Sequence, residues 1–264
     1  MTAGRSLSIL MLIGLYLFLY APIVYIMYVS VQTDGVWPFP PSFTTEYYRE
    51  LLELDDFHAA FKNSLIIGLG TGVLACLFAS MAAIGILKYD VGQRRIVAIV
   101  YLAPLFIAHV LIGISILMFS RSVLGLPGSL FSAILANTTH ATAFAVLVVL
   151  AQLARYDWRL DEAAMVFGAA PLATFREVTL PLVWPAFLGA AIVSFLLAFN
   201  NLEVTFYQVG AVPTLPTLAW GELRHGISEE LYALSSLIMA VVFLLLVGLY
   251  GLLKSGLLKL DYRD

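Results

Sequence analysis

At residues 162–168 the chain reads EAAMVFG, and after nine further residues it reads VTLP at 178–181. This stretch belongs to a polar, charged insert that lies between two long apolar segments. Charged helix-forming residues, a glycine that can end a helix and a proline that can stop one follow each other closely here. The pattern predicts short helices outside the lipid, at a place where a membrane protein can bind a partner.

The composition indicates that lipid is the main solvent. Of the 264 residues, 61% are hydrophobic and 12% are charged, whereas soluble domains carry about 25% charged residues. The formal net charge of -3 leaves no basic surface for nucleic acid. The single cysteine, Cys76, excludes an internal disulfide and a cysteine metal site, and we predict that it is a small buried apolar residue.

Six apolar segments have the roughly 20 residues that a helix needs to cross a bilayer. We predict an all-α membrane protein, with one transmembrane domain over residues 1–264. The loop at 32–61 is acidic and is interpreted either as a solvated cap or as a docking rim. The predicted spans are residues 7–31, 62–87, 96–119, 131–154, 183–207 and 231–254.

Three local features refine this outline. The first apolar segment has 25 residues, against about 7–15 for the core of a signal peptide, so we predict a retained anchor. Residues 37–41 read WPFPP and predict a stiff, extended segment, after which Thr44 or Thr45 can cap a short helix. Gly68 and Gly72 have the GxxxG spacing that lets two helices pack closely in lipid.

The distribution of Lys and Arg predicts an N-in, C-in topology. With the N-terminus in the cytoplasm, ten of the 14 basic residues fall inside, as the positive-inside rule requires. The four outside are Arg49, Lys62, Arg121 and Arg224. The opposite orientation would reverse this bias, so we expect the polar insert, residues 155–182, to lie in the cytoplasm.

The polar insert predicts two short helices joined by an elbow. Asp157 can cap the first, over residues 158–167. Gly168 can end that helix, because glycine tolerates the left-handed backbone found at helix ends. Pro171 then fits the first turn of a second helix over residues 172–178, where its missing N–H has no partner to lose.

The end of the second helix carries the best candidate for a contact residue. Pro181 is predicted to stop this helix. Phe175 would then be exposed, and an exposed aromatic side chain suggests a pocket on a partner protein. Alternatively, the insert is an interfacial hairpin in which Phe175 dips into the lipid headgroups. The residues alone leave both interpretations open.

The spacing of these residues resembles a known family. The pattern is Glu-Ala-Ala, three residues, Gly, nine residues, Ile or Val, one residue and Leu-Pro. It is similar to the cytoplasmic loop in the membrane subunits of bacterial ABC importers with the type I fold. The matching residues are Glu162, Ala163, Ala164, Gly168, Val178, Leu180 and Pro181.

The resemblance covers essentially the whole chain. Residues 61–65 (FKNSL) resemble the start of the family's core, residues 104–113 a segment of its third helix, and His140 a histidine at the start of its fourth. Within the family the chain is most similar to the second permease subunit of spermidine/putrescine-type importers. The resemblance implies a multi-pass permease of the bacterial inner membrane that catalyses no covalent chemistry.

The resemblance also implies partners. The second short helix would be a coupling helix in a groove of a separate ATP-binding subunit. This chain has no GxxxxGK[ST] phosphate loop, so ATP and Mg would be held by that partner and this chain would hold no cofactor or metal. The implied assembly adds a second permease subunit (expected to form a heterodimer), two ATP-binding subunits and a periplasmic or lipid-tethered solute-binding protein. The implied contact residues are Glu162, Ala163, Ala164, Gly168, Pro171, Phe175, Arg176, Leu180 and Pro181.

Polar residues within the predicted spans are candidates for the substrate pathway, because such groups are costly in lipid. They are His109, Asn200, Asn201 and Glu203. Polyamine permeases of the family tend to carry acidic residues at the first three positions, so we expect a less cationic substrate: zwitterionic, neutral or anionic. Glu203 is evidence for a cationic substrate instead. Its spacing from Asn200 predicts that the two residues share a helix face.

Structural roles compete with this hypothesis. The two asparagines can form hydrogen bonds between helices. His109 can be a packed histidine with its hydrogen bonds satisfied, and Glu203 can extend to the membrane surface.

Two other functions compete with a permease. A rhomboid-type intramembrane serine protease needs a G-x-S-G turn, and residues 113–116 (GISI) lack the last glycine. A secondary transporter often shows inverted repeats, which are not evident here. It would also leave the polar insert without a role.

Overall fold

The computed structural model of the chain describes residues 2–33, 42–89 and 93–254. In that part of the chain the regular structure is helical, apart from an isolated antiparallel bridge between Gln32 and Phe43. The prediction of an all-α membrane protein is therefore confirmed.

Five of the described helices are long and apolar enough to cross a membrane. A sixth span results if the bent pair Arg94–Phe106 and His109–Ser122 is counted as one. This agrees with the six apolar segments of the sequence, although two of the predicted helices are interrupted. The five long helices are Leu7–Val29, Asp55–Lys88, Leu130–Leu153, Pro171–Phe199 and Glu229–Gly248.

The chain divides into two compact units, each described by itself. The first combines residues 1–58 with 218–247, and the second combines residues 59–217 with 248–264. The first unit contains α1 (Thr2–Val29), α2 (Glu46–Glu53) and most of α12 (Glu229–Lys254).

In the first unit, the loop after α1 folds back on the end of that helix. The hydroxyl groups of Ser30 and Tyr48 share a hydrogen bond of 2.6 Å. Thr44 Oγ1 accepts the N–H of Glu46, the first residue of α2, at 3.1 Å, whereas Thr45, the residue directly before the helix, makes no capping hydrogen bond with its side chain. The prediction of a stiff segment at 37–41 lies outside the described residues.

The second unit contains most of α3 (Asp55–Lys88), all the helices from α4 to α10, and the start of α11 (Leu215–His225). The helices of this series are α4 (Arg94–Leu102), α5 (His109–Ser122), α6 (Leu130–Leu153), α7 (Arg159–Val166), α8 (Pro171–Thr174), α9 (Leu180–Phe199) and α10 (Leu202–Val209).

Small residues let α3, α6 and α9 pack closely. A Cβ on Gly68 would lie 2.8 Å from the Phe195 ring, and a Cβ on Gly72 would lie 2.9 Å from the carbonyl oxygen of Ala191. The predicted close packing at these two glycines is confirmed. Cys76 is half-buried rather than fully buried. Buried alanines fill much of the interface: Ala75, Ala79, Ala83, Ala141, Ala145 and Ala190.

The helix predicted at 96–119 is broken. α4 continues as a 3-10 turn over Ala103–Phe106, α5 starts at His109, and the two halves are bent by 101°. Pro104 lies in the first turn of the 3-10 segment and lacks the N–H that a continuous α-helix would use there. Ile107 is extended, with φ −100° and ψ 132°, and redirects the chain.

Pro181 does not stop a helix at the end of the polar insert, contrary to the prediction. α8 runs through a π-helical segment, Phe175–Thr179, into α9, so Pro171–Phe199 is one continuous span. In an α-helix the proline ring would collide with the carbonyl group four residues earlier, and the wider π turn removes this collision. The predicted helix at 183–207 ends early, because α9 stops at Phe199 and α10 is a separate helix.

Asn63 and Ser64, within the sequence FKNSL at 61–65, have a structural role in the second unit. Asn63 Nδ2 donates to the carbonyl oxygen of Pro213 at 2.8 Å. Ser64 Oγ accepts the N–H of Leu215 at 2.9 Å. These two hydrogen bonds tie α3 to the connection between α10 and α11.

Candidate functional site

The polar insert forms an elbow between α7 and α8. Asp157 Oδ1 accepts the N–H of Arg159 at 3.1 Å, which caps the start of α7. Gly168 has φ +93°, a conformation that glycine adopts without strain, and it ends the helix as predicted. Pro171 begins α8, also as predicted. The chain therefore reverses direction over a few small residues.

Large apolar side chains are exposed at this elbow. Phe167 is 92% exposed, Val166 is 84% exposed and Leu172 is 78% exposed. We call these three residues the apolar tip. Phe175, which we expected to be the exposed aromatic, is half-buried. The predicted first helix ended with Phe167, whereas α7 ends at Val166 and Phe167 is the residue that caps it.

The nine predicted contact residues differ in accessibility. Six are exposed: Glu162, Ala163, Gly168, Pro171, Arg176 and Pro181. Three are half-buried: Ala164, Phe175 and Leu180. Most of the predicted contact surface is therefore available to a partner, and the apolar tip extends it.

A buried carboxylate lies beneath this surface. Asp161, next to Glu162, is 1% exposed. Its Oδ2 accepts a hydrogen bond from Lys88 Nζ at 2.6 Å, and its Oδ1 accepts from the Tyr156 hydroxyl at 2.6 Å and from Thr179 Oγ1 at 2.9 Å. We call these four residues the Asp161 cluster. This cluster was not predicted from the sequence, although Lys88 directly follows the second apolar segment.

The hydrogen bonds of the Asp161 cluster favour an ionised aspartate. Burial by itself would raise the pKa of Asp161, but the hydrogen bonds from Lys88, Tyr156 and Thr179 bring the pKa below its ordinary value. Burial, together with the hydrogen bond to Asp161, raises the pKa of Tyr156 to about 12. The tyrosine is therefore a permanent donor and the aspartate a permanent acceptor at neutral pH.

A second group of polar residues lies where two apolar helices are interrupted. His109 is the first residue of α5, and Glu203 lies in the first turn of α10. His109 Nδ1 is 3.4 Å from Glu203 Oε2. The rings of His109 and His140 meet edge to face, with their centroids 4.0 Å apart. We call His109, His140 and Glu203 the membrane cluster.

His140 is the buried member of the membrane cluster. Its side chain is 3% exposed, and its Nδ1 has no hydrogen-bond partner among the described residues. Its ring also contacts Phe144, at a centroid distance of 5.2 Å. His109 and Glu203 are only partly covered, with side-chain exposures of 42% and 53%. His109 and Glu203 were predicted to line the substrate pathway, whereas His140 was not.

The two asparagines do not share a helix face with Glu203. Asn200 is exposed in the turn after α9, and Asn201 caps α10 by accepting the N–H of Val204 at 3.0 Å. The prediction that Asn200 and Glu203 lie on one helix face is wrong, because the helix ends between them. The hydrogen bond found for Asn201 is therefore local.

Buried amides hold α10 against α5 and α6. Gln208 Nε2 donates to the carbonyl oxygen of Gly113 at 2.9 Å, and Gln208 Oε1 accepts from the Ser132 hydroxyl. Asn137 Nδ2 donates to Thr205 Oγ1 at 3.0 Å. These hydrogen bonds keep Glu203 close to His109, and nothing in the sequence pattern predicted them.

Comparisons with known proteins give the chain its relatives. It is 29% identical over 243 residues to the putrescine transport system permease protein PotI of Escherichia coli strain K12, covering 89% of this chain and 85% of that protein. It is 24% identical over 246 residues to the spermidine/putrescine transport system permease protein PotC of the same strain, covering 93% of both. The chain is a homologue of ABC importer permeases.

A third relative is named for a solute that is not a polyamine. The putative 2-aminoethylphosphonate transport system permease protein PhnV of Salmonella typhimurium strain LT2 is 29% identical over 259 residues, covering 96% of this chain and 94% of that protein. No protein-family model matches the chain. The resemblance to ABC importer permeases is confirmed, and an intramembrane protease or a secondary transporter is not favoured.

Solved structures show the same fold. A bacterial ABC transporter that imports the acidic polysaccharide alginate matches with a TM-score of 0.66 and 18% identity, covering 100% of this chain and 99% of that one. A bacterial alginate ABC transporter in complex with an alginate pentasaccharide-bound periplasmic protein gives a TM-score of 0.67 at 18% identity, covering 97% of this chain and 95% of that one. This homologue of importer permeases is thus a multi-pass protein of the bacterial inner membrane.

Proposed function

We propose that this chain is one of two permease subunits of a binding-protein-dependent importer, in which ATP hydrolysis on partner subunits drives alternating access. The second permease is a different chain, and a periplasmic or lipid-tethered protein delivers the solute. Two ATP-binding subunits hold ATP and Mg. The relationship to PotI, PotC and PhnV supports the role of permease, and the missing phosphate loop supports an ATPase on another chain.

The chain is N-in and C-in in this proposal, so the polar insert faces the cytoplasm. Ten of the 14 Lys and Arg residues then lie inside, as expected for a protein of the inner membrane. The ATP-binding subunits are cytoplasmic in this arrangement, and the insert is the part of the chain that meets them.

The exposure of the apolar tip is the observation that best supports the coupling role. Exposed apolar side chains cost free energy in water, about 25 cal/mol per Å² of apolar surface. Phe167 and Leu172 stand on either side of the elbow, within the part of the insert that resembles an importer's coupling loop. A groove on an ATP-binding subunit would bury both side chains, with Glu162 and Arg176 as polar contacts at the edge.

Phe167→Asp should reduce recovery of the ATP-binding subunit in a pull-down from detergent, because it places a charge in the apolar contact. A loss of about 2 kcal/mol or more is typical of a central aromatic contact and lowers recovery at least tenfold. Leu160→Asp, at a half-exposed apolar residue in the first turn of the same helix, is the matched control. Equal losses for the two variants would show that the apolar tip has no special part in binding.

We propose that the solute is a small molecule with both an amino group and an anionic group. Glu203 supplies a carboxylate for an ammonium group. The start of α5, with His109 as its first residue, offers backbone N–H groups and an imidazole for an anion. A path for a polyamine alone would have more carboxylates than the membrane cluster provides.

The substrate proposal is tested in the reconstituted complex with its own binding protein. We expect 2-aminoethylphosphonate to stimulate ATP hydrolysis more strongly than putrescine does. Glu203→Gln should weaken this stimulation, whereas Glu53→Gln, an exposed carboxylate on α2, should leave it unchanged. Stimulation by putrescine with no response to the phosphonate would assign the chain to the polyamine importers instead.

A further inference from the structure

The Asp161 cluster has no part in the two sites proposed above. Its carboxylate is buried, so it cannot contact an ATP-binding subunit. It lies in the polar insert and not in an apolar span. Yet it is the most densely hydrogen-bonded side chain of the insert, with three donors from three other segments.

The donors come from three separate segments of the second unit. Lys88 is the last residue of α3, Tyr156 lies in the turn after α6, and Thr179 is the last residue of the π-helical segment. Asp161 itself is in the first turn of α7, directly beside the exposed Glu162. One carboxylate therefore joins the surface of the insert to the ends of two apolar helices.

The contact with Thr179 lies at a special point of the backbone. A π-helical segment carries weaker, longer-range hydrogen bonds than an α-helix and frequently marks a functional site. Here it separates α8, which bears Leu172 of the apolar tip, from α9. The hydrogen bond from Thr179 to Asp161 connects the end of this segment to α7.

We propose that Asp161 is a positioning residue that transmits displacement of the polar insert to α3 and α9. This inference rests on the proposed function, since it requires an ATP-binding subunit that displaces the insert. The ion pair with Lys88 carries the displacement to α3, and the hydrogen bond with Thr179 carries it to α9. Trp158 covers the ion pair, with Lys88 Nζ 5.3 Å from its ring centroid, and limits the access of water.

The test measures how many solute molecules enter per ATP hydrolysed by the reconstituted full complex in proteoliposomes. Asp161→Asn should lower this ratio about tenfold, within the range by which single residues modulate coupling. Recovery of the ATP-binding subunit should stay at the wild-type level, because the apolar tip is intact. Asp157→Asn is the matched control: it removes a nearby carboxylate and keeps a residue that caps helices equally well.

Variants that change a single contact distinguish an effect on coupling from an effect on folding. Thr179→Val and Tyr156→Phe each remove one hydrogen bond and keep the shape of the side chain, so both should fold. Thr179→Val should lower the ratio, and Lys88→Arg, which retains a cation, should preserve more of it than Lys88→Met. If these variants lower uptake and ATP hydrolysis in the same proportion, or change only the melting temperature or yield, Asp161 has a structural role and the inference is wrong.

The two proposals fail in different ways. If the wild-type chain recovers no ATP-binding subunit, the proposed function itself is wrong. If the wild-type complex transports solute and Asp161→Asn leaves the ratio unchanged, only the role of Asp161 is wrong.

Discussion

Asp161 and Glu162 are adjacent acids in opposite surroundings. Asp161 is almost completely buried and accepts three hydrogen bonds, whereas Glu162 is exposed. A buried carboxylate is tolerated only when donors and an opposite charge replace the water that it loses. Its neighbours supply both, so Asp161 can shape the insert from within while Glu162 remains available to a partner.

The pH dependence of stability should reveal the ionised state of Asp161. Its pKa is lowered from the ordinary value of 3.8 in the folded chain. Its contribution to the free energy of unfolding is therefore fully present above pH 3.8 and is lost as the pH falls through the lowered pKa. Asp161→Asn should reduce the melting temperature in detergent at pH 7, and the difference from the wild type should shrink below pH 3.8. A difference that stays constant with pH would contradict this assignment.

At the scale of secondary structure, two apolar helices of the second unit are interrupted, and both interruptions lead to the membrane cluster. α5 begins at His109 and α10 begins just before Glu203. A helix start has backbone N–H groups without partners in the helix. In lipid, such groups are tolerated only where protein or a cavity covers them. His109 and Glu203, which stand at these two starts, are only partly covered by the described chain.

Close packing of α3 against α9 gives a prediction with an internal control. Gly72→Ala should destabilise the chain by about 1–3 kcal/mol, because the added methyl group would lie 2.9 Å from a backbone oxygen of α9. Gly85→Ala adds the same group on the same helix, where nothing lies within 4 Å. Thermal unfolding in detergent should show a lower melting temperature for the first variant only. Equal melting temperatures would mean that α9 can move away from Gly72.

The sequence predicted the apolar helices and the elbow well, since these depend on local composition and on glycine and proline. Gly168 and Pro171 lie where the pattern put them. It failed at Pro181, because the π turn that accommodates a proline has no signal of its own in the sequence. It also missed the ion pair of Asp161 with Lys88, whose 73-residue separation is bridged only by the packed fold.

At the scale of the whole molecule, α1 is the apolar helix that the described chain covers least. None of its apolar window is buried within the described chain. A helix that is apolar on all sides needs lipid or another membrane protein around it. This is consistent with a chain that works beside a second permease subunit.

The topology can be tested by labelling, because Cys76 is the only cysteine. In a Cys76→Ser background, Leu160→Cys, at an exposed position of the insert outside the apolar tip, should react with a membrane-impermeant thiol reagent only after the cells are opened. Glu50→Cys, at an exposed position of α2, should react in intact cells. The reverse pattern would show that the polar insert faces outwards and would overturn the proposed contact with a cytoplasmic ATPase.

The continuity of Pro171–Phe199 has a mechanical consequence. Its 29 residues make a rod about 43 Å long at 1.5 Å per residue, longer than the roughly 30 Å of hydrocarbon that it has to cross. The extra length allows the first turns of this rod, which bear Leu172, to extend beyond the hydrocarbon. The other end of the rod, at Phe199, stops at the turn that leads to Glu203. Because α8 and α9 form one rod, a displacement of the segment that bears Leu172 would also move the turn before Glu203, and the Asp161 cluster would hold α7 and α3 to the same motion.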